Sequence, residues 1–202
     1  MTQRTVYIVE DDPGMLRLLE RLLTDAGYGV AAYPDAESFL ADHQPGQGGC
    51  LLLDLRLPGM SGLELQRRLQ SEGDLLPVIF ISGQGDVASV RAAMRGGCLD
   101  FLEKPFSEQE LLALVQKAVA LSARRRRQQR ERAVLERRLA SLTPREQEVL
   151  KLVVAGKTNK MISEQWGVSV RTIEIHRANV MKKMAAKSLA DLVRMYLQLQ
   201  GR

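Results

Sequence analysis

The stretch that most restricts what this chain can fold into is Cys50-Leu-Leu-Leu-Asp-Leu-Arg-Leu-Pro-Gly-Met60. Gly49 to Leu53 is a continuous apolar run of strand length, Asp54 follows at once, and Pro58-Gly59 imposes a turn. A run that is apolar on both faces predicts a buried parallel strand. A carboxylate at the carboxyl end of such a strand sits where open α/β sheets place their chemistry. Asp54 is therefore the first candidate functional residue.

The flanking sequence repeats the theme. Val6-Tyr-Ile-Val9 is apolar and β-prone and runs into Glu10-Asp11-Asp12. Asp12 suits a helix cap and Pro13 a first helical turn. Met15, Leu18, Leu19, Leu22 and Leu23 keep helical spacing up to Gly27. Further strands are predicted at 30–33, 77–81 and around Phe101-Leu102, with helices at 35–41, 61–69, 87–94 and 111–121. Five β-then-α units in about 120 residues call for an α/β fold with a doubly wound, five-stranded parallel sheet.

In that fold the polar residues at the strand ends share one rim: Glu10 and Asp11, Asp54, Ser82 and Lys104. Two or three carboxylates make an oxygen-rich site suited to a hard cation such as Mg²⁺. A cation beside Asp54 would neutralise an incoming phosphoryl group and leave the carboxylate free to attack it. Ser82 can donate a hydrogen bond to a phosphoryl oxygen, and Lys104 can pair with its charge. The set reads as a phosphoryl-accepting aspartate.

Charge divides the chain. Residues 1–121 carry 10 Lys/Arg against 17 Asp/Glu, residues 122–141 carry 8 against 2, and residues 142–202 carry 11 against 5. An acidic front and a basic back suggest two domains with different partners, the second having the balance of a nucleic-acid binder. No uninterrupted apolar segment is long enough for a membrane span, and the start lacks a signal-peptide apolar region. Cys50 and Cys98 lie in no metal-binding or redox spacing, so a reducing cytoplasm is the expected location. Neither Cys98 nor His43 has a motif around it.

The segment from Ala123 to Arg132 is rich in arginine and free of Gly and Pro. It is compatible with a helical continuation of the fifth helix or with a loosely ordered tether. Its arginines suit either a phosphate backbone or the acidic first half. Beyond it, Thr143, Pro144 and Glu146 form a capping-box helix start. Thr158, Ser169 and Ser188 cap three more helices, and Gly167 joins the middle pair. Two helices joined by a short Gly-containing turn suggest a helix-turn-helix. The division expected is 1–121, a charged and helical linker over 122–141, and 142–202.

Val9-Glu-Asp11, Asp54 with Pro58, Ser82-Gly83 and Lys104-Pro105-Phe106, in that order, resemble a response-regulator receiver domain of two-component signalling, which has a flavodoxin-like sheet. The resemblance implies that Asp54 takes a phosphoryl group from a partner histidine kinase. Asp11, Asp54 and the main-chain carbonyl of Arg56 would hold Mg²⁺, with Glu10 assisting through water. Phe101 would be the switch aromatic that turns inward, Lys104-Pro105 a cis bond, and Arg56 and Gln84 would tune hydrolysis. The first acid is Glu10 where Asp is common, and its longer arm changes how the metal's waters are held.

Leu142-Thr-Pro-Arg-Glu-Gln-Glu-Val-Leu150, Gly156-Lys-Thr-Asn-Lys160, Arg171-Thr-Ile-Glu-Ile-His-Arg177 and Met181-Lys-Lys-Met184 resemble the LuxR-type helix-turn-helix domain of FixJ/NarL regulators. The resemblance makes 170–183 the recognition helix. Arg171, Thr172, Glu174, Ile175, Ala178 and Lys182 are then its DNA-binding candidates, with Asn159 and Lys160 as phosphate contacts. NarL-like members often carry Lys where this chain has Glu174 and Ala178. Glu174 suits equally a base contact or an ion pair with Arg171 or Arg177.

The function expected is a phosphorylation-dependent DNA-binding transcription regulator rather than an enzyme. The partners implied are a sensor kinase, a two-fold symmetric DNA site, a second copy of the chain upon phosphorylation, and RNA polymerase as a further option, with no membrane. The last helix, with Leu189, Leu192, Val193 and Tyr196, offers a second dimer contact. An aspartate-nucleophile phosphatase is the enzymatic rival, but it usually needs an acid where Arg56 stands. A protein-binding output in place of DNA binding is the other rival.

Overall fold

A computed structural model describes residues 5–83 and 87–201. Gln84 lies outside the described residues. The chain divides into two compact units, 1–127 and 128–202.

In the first unit the elements alternate: β1 (Thr5–Val9), α1 (Pro13–Asp25), β2 (Gly29–Tyr33), α2 (Ala36–Asp42), β3 (Cys50–Asp54), α3 (Gly62–Ser71), β4 (Val78–Ser82), α4 (Val87–Arg95) and β5 (Asp100–Glu103). A long α5 (Glu108–Ala140) follows, and the boundary between the units falls within it. The strands form one parallel sheet in the order β2-β1-β3-β4-β5. β3 lies at its centre, as a strand buried on both faces must.

Alternation along each strand builds two cores. Tyr7, Val9, Leu51, Leu53, Val78 and Phe80 point to one face and meet Phe39 of α2, Leu65 and Leu69 of α3, and Ala93 of α4. Val6, Ile8, Cys50, Leu52, Ile79 and Ile81 point to the other and meet Leu19 and Leu23 of α1 and Leu111, Val115 and Ala118 of α5. Each buried Leu, Ile or Phe contributes about 1.5–3 kcal/mol. Asp12 caps α1, its Oδ1 accepting the Met15 N–H at 2.7 Å.

The arginine run continues α5 as helix. Ser122 is buried, and its Oγ accepts the Gly49 N–H at 3.2 Å. Arg125 donates to the Leu75 carbonyl at 3.2 Å. The Arg126 guanidinium lies so close over Gly48 that a Cβ there would meet its Nη1 at 2.0 Å. These two arginines are thus engaged by the first unit, one of the two uses that the sequence left open.

The second unit holds α6 (Pro144–Val154), α7 (Asn159–Trp166), α8 (Val170–Met184) and α9 (Leu189–Leu199). Thr143 and Glu146 form the predicted capping box, and Thr158, Ser169 and Ser188 cap the helices that follow. Leu142, Val149, Leu150, Ile162, Ile173, Val180, Met184 and Leu192 make the core. Glu146, nearly buried, also pairs with Lys183 at 2.6 Å and so ties α6 to α8. Of the residues expected to offer a dimer contact on α9, Leu192 is fully buried in this core and faces no partner, Tyr196 packs on it only in part, and Leu189 stays exposed. Domain packing uses that side of α9, and the exposed large apolar residues on the helix are Leu189 and Leu197. Among the described residues, no helix is long and apolar enough to cross a membrane.

Candidate functional site

The parallel order carries β1, β3, β4 and β5 side by side, so their carboxyl ends gather Glu10, Asp11, Asp54, Ser82 and Lys104. Asp54 ends β3 opposite Ile81, and Ser82 ends β4 one position beyond. The Lys104 N–H donates to the Ser82 carbonyl at 2.9 Å, which extends the β4–β5 ladder to the lysine. Lys104-Pro105 is cis, as expected.

Asp54 is 8% exposed and held at both oxygens. Oδ1 accepts the Arg56 N–H at 2.8 Å, and Oδ2 accepts Lys104 Nζ at 2.7 Å. The same ammonium donates to Glu10 Oε2 at 2.6 Å. Close packing enforces the strand-to-loop geometry: a Cβ on Gly62 would stand 2.2 Å from the Asp54 carbonyl oxygen.

The electrostatics follow from enclosure. Burial pushes the Glu10 carboxyl above the usual range, helped by the Asp54 charge and opposed by the Lys104 hydrogen bond. For Lys104 burial acts to lower the pKa, but the bonds to Asp54 and Glu10 outweigh it and hold the ammonium above the usual lysine range. Asp11 is exposed at the rim. Glu10, Asp11 and Asp54 each bring one carboxylate oxygen within 4.8 Å of the others. When ionised, three carboxylates and one ammonium sum to −2, which a divalent cation balances. The donors are all oxygen, as Mg²⁺ prefers. The residues therefore fit the metal expected from the sequence.

Of the remaining rim candidates, Ser82 is 2% exposed and sits beside Asp54 across the ladder. Phe101 lies on β5 opposite Phe80, half-buried against the core that contains Phe80. Arg56 places its backbone beside Asp54 through the N–H bond described above.

In the second unit the solvent face of α8 carries Arg171, Glu174, Ile175, Ala178 and Lys182, all exposed, while Ile173, Val180 and Met184 face the core. Glu174 pairs with Arg171 at 3.4 Å. Thr172 is occupied by the α8 cap: its N–H donates to Ser169 Oγ at 3.1 Å, and the two hydroxyls lie 2.8 Å apart. Asn159 Oδ1 accepts from Arg177 at 3.0 Å, while Lys160 is exposed. Gly156, Lys157, Thr158, Asn159, Lys160 and Arg177 border an open recess of about 460 Å³ at the amino end of α7. Lys157 and Arg177 were not among the sequence-derived candidates. Both lie inside the quoted motifs: Lys157 is two residues from Asn159, while Arg177 is brought beside it by the fold.

Comparison with known proteins accords with both units. Residues 6–116 match the response regulator receiver domain family, and residues 140–196 match the bacterial regulatory proteins, luxR family. The chain is 45% identical to Nodulation protein W of Bradyrhizobium diazoefficiens over 194 residues, covering 96% of this chain and 86% of that protein. It is 39% identical over 198 residues to Transcriptional regulatory protein FixJ of the same organism, covering 98% and 96%. Among solved structures, the response regulator StyR superposes with a TM-score of 0.88 at 41% identity, covering 96% of this chain and 98% of that one.

Proposed function

Since the chain belongs to the response-regulator family and is a transcription regulator with a receiver domain and a LuxR-type DNA-binding domain, we propose that Asp54 is its phosphoacceptor. The observation that carries this reading is the orientation of Asp54, fixed by the Arg56 N–H on one oxygen and Lys104 on the other.

A partner histidine kinase presents a phosphohistidine. An Asp54 oxygen attacks phosphorus, the O–P bond forms as the N–P bond breaks, and the histidine nitrogen leaves with the electron pair. Lys104, already charged, turns from Asp54 to a phosphoryl oxygen, and Ser82 donates to another. Asp11, Asp54 and the Arg56 carbonyl would hold Mg²⁺, with Glu10 assisting through water, and the ion would supply positive charge against the phosphoryl group. Ser82 and Phe101 then move inward as a switch, and the face of α4 and α5 changes to favour a dimer. Neither step makes the protein an enzyme in its own right.

In the same reading, residues 1–121 are the receiver, 122–141 the linker and 142–202 the DNA-binding domain. Arg171, Thr172, Glu174, Ile175, Ala178 and Lys182 approach the major groove, while Asn159 and Lys160 approach phosphate. Lys157 and Arg177, at the same recess, add phosphate contacts. One short recognition helix reads few base pairs, so a dimer on a two-fold symmetric site supplies the specificity. The protein works in the cytoplasm, where its kinase partner and RNA polymerase are found.

The test is phosphorylation of the purified chain by a small phosphodonor, with and without Mg²⁺, followed by intact mass and size-exclusion chromatography. The account expects one Mg²⁺-dependent phosphoryl adduct, its loss in Asp54→Ala, and a shift toward dimer. An adduct that persists in folded Asp54→Ala removes Asp54 from the role. An adduct without a dimer shift removes the activation step.

A further inference from the structure

We propose that Glu37 is a positioning residue that clamps the loop after β3 in the shape that presents the Arg56 carbonyl to the metal. This rests on the assignment of Asp54 and Arg56 given above.

The loop leaves the sheet at Asp54 and enters α3 at Gly62. Its ends are tied: the Arg56 N–H donates to Asp54 Oδ1 at 2.8 Å, and the Gly62 N–H donates to the Leu55 carbonyl at 3.2 Å. The far turn is built on Gly59, whose φ of +72° favours glycine. There the next N–H, that of Met60, donates to Glu37 Oε1 at 3.1 Å. A Cβ added to Gly59 would stand 2.8 Å from that same oxygen, so the carboxylate closes directly over the turn.

Glu37 reaches the turn from a fixed base. It lies in the first turn of α2, where Asp35 caps the helix by accepting the Ser38 N–H at 2.7 Å. Ala36 and Phe39 on either side of it are fully buried. A carboxylate that accepts a main-chain N–H makes a charge-assisted bond, stronger than a neutral one. Arg56 is tied through its own N–H, and its carbonyl lies on the side of that tie that runs on to this clamp. Releasing the clamp frees the segment that carries its carbonyl, without touching Glu10, Asp11 or Asp54. Outer partners of this kind set metal affinity through the ligands they orient.

The test uses the full chain, Glu37→Ala and Glu37→Gln. Each is titrated with Mn²⁺, whose free-ion paramagnetic resonance signal falls on binding, and phosphorylation by a small phosphodonor is followed across Mg²⁺ concentrations. Glu37→Ala is expected to weaken Mn²⁺ binding about tenfold. It raises the Mg²⁺ concentration for half-maximal phosphorylation similarly, and leaves the rate at saturating Mg²⁺ within about twofold. Glu37→Gln keeps an accepting oxygen and stays within about threefold of the wild type. Unchanged Mn²⁺ affinity in Glu37→Ala overturns the inference, as does a Glu37→Gln variant equally impaired. A folded wild-type chain that binds no Mn²⁺ removes the metal site itself, a failure distinct from that of the clamp alone.

Discussion

Asp74 is a carboxylate sealed inside the first unit. Its side chain is 1% exposed, and Oδ2 lies 2.7 Å from Nε2 of an equally enclosed His43, which stacks on Phe39. Oδ1 accepts the Leu76 N–H at 2.8 Å. Burial acts to raise the Asp74 pKa, but the His43 and Leu76 hydrogen bonds outweigh it and hold the carboxyl below the usual range. An acid depressed in the folded state stabilises it above the unfolded value, and that contribution is lost as pH falls through the folded value. The unfolded value is about 3.9. The wild type is therefore predicted to lose more of its urea midpoint than Asp74→Asn does as pH falls from about 5 to 3. Parallel midpoint curves for the two proteins would contradict this. Gly62 makes a second residue-scale case. In Gly62→Ala the added methyl meets the Asp54 carbonyl oxygen and, at 3.1 Å, the Phe80 ring. Overpacking of this kind costs about 1–3 kcal/mol. Urea unfolding should show that loss, and phosphodonor labelling should show slower adduct formation at a displaced Asp54. None of these partners is visible in the sequence around it. His43 has no motif, and Asp74 stands 31 positions away.

At the scale of elements, strand ends were legible because an apolar run that stops at a polar or charged residue marks both the strand and its functional end. β3 and the rim at Glu10, Asp54, Ser82 and Lys104 follow from that pattern alone. The helix starts were legible too, since Thr143, Thr158, Ser169 and Ser188 each precede a helical spacing. The unbroken run of α5 past residue 121 was less so, because an Arg/Gln/Glu run without Gly or Pro suits both a helical continuation and a loosely ordered tether. What decides is tertiary: Ser122, Arg125 and Arg126 find partners on the first unit. Ser122→Ala strips the buried Gly49 N–H of its acceptor, and an unsatisfied buried donor costs about 1–3 kcal/mol. Urea unfolding of the variant should show that loss, and an unchanged midpoint would mean that water replaces the hydroxyl. In the second unit the Lys183 hydrogen bond holds Glu146 below the usual carboxylate range, with the Thr143 N–H adding to it. Glu146→Gln keeps an acceptor for the cap but loses the ion pair. Its thermal midpoint should fall at pH 7 and approach the wild-type value in acid, where wild-type Glu146 is protonated as well. A deficit that persists unchanged in acid would point to the cap rather than the pair. The candidates on α8 illustrate the opposite limit: helical spacing placed them on one face, but only the fold shows Thr172 spent on a cap and Asn159 engaged by Arg177.

For the whole molecule, an acidic receiver and a basic helical domain on one chain form a signal-to-DNA device only if chemistry at Asp54 changes what the second unit binds. The phosphate contacts proposed for Lys157, Lys160 and Arg177, with the exposed Arg171 and Lys182 on α8 adding positive charge, predict affinity for duplex DNA that falls steeply with salt. The central claim is that the phosphoryl group raises that affinity for a preferred sequence. The direct measurement is the binding of the chain to a duplex selected from a randomised pool, at fixed salt, before and after phosphodonor treatment, with Asp54→Ala beside it. The account predicts at least a tenfold gain, since dimer formation brings a second half-site into the complex, and no gain in Asp54→Ala. Equal affinity in the treated and untreated wild type, with the adduct confirmed by mass, would contradict it.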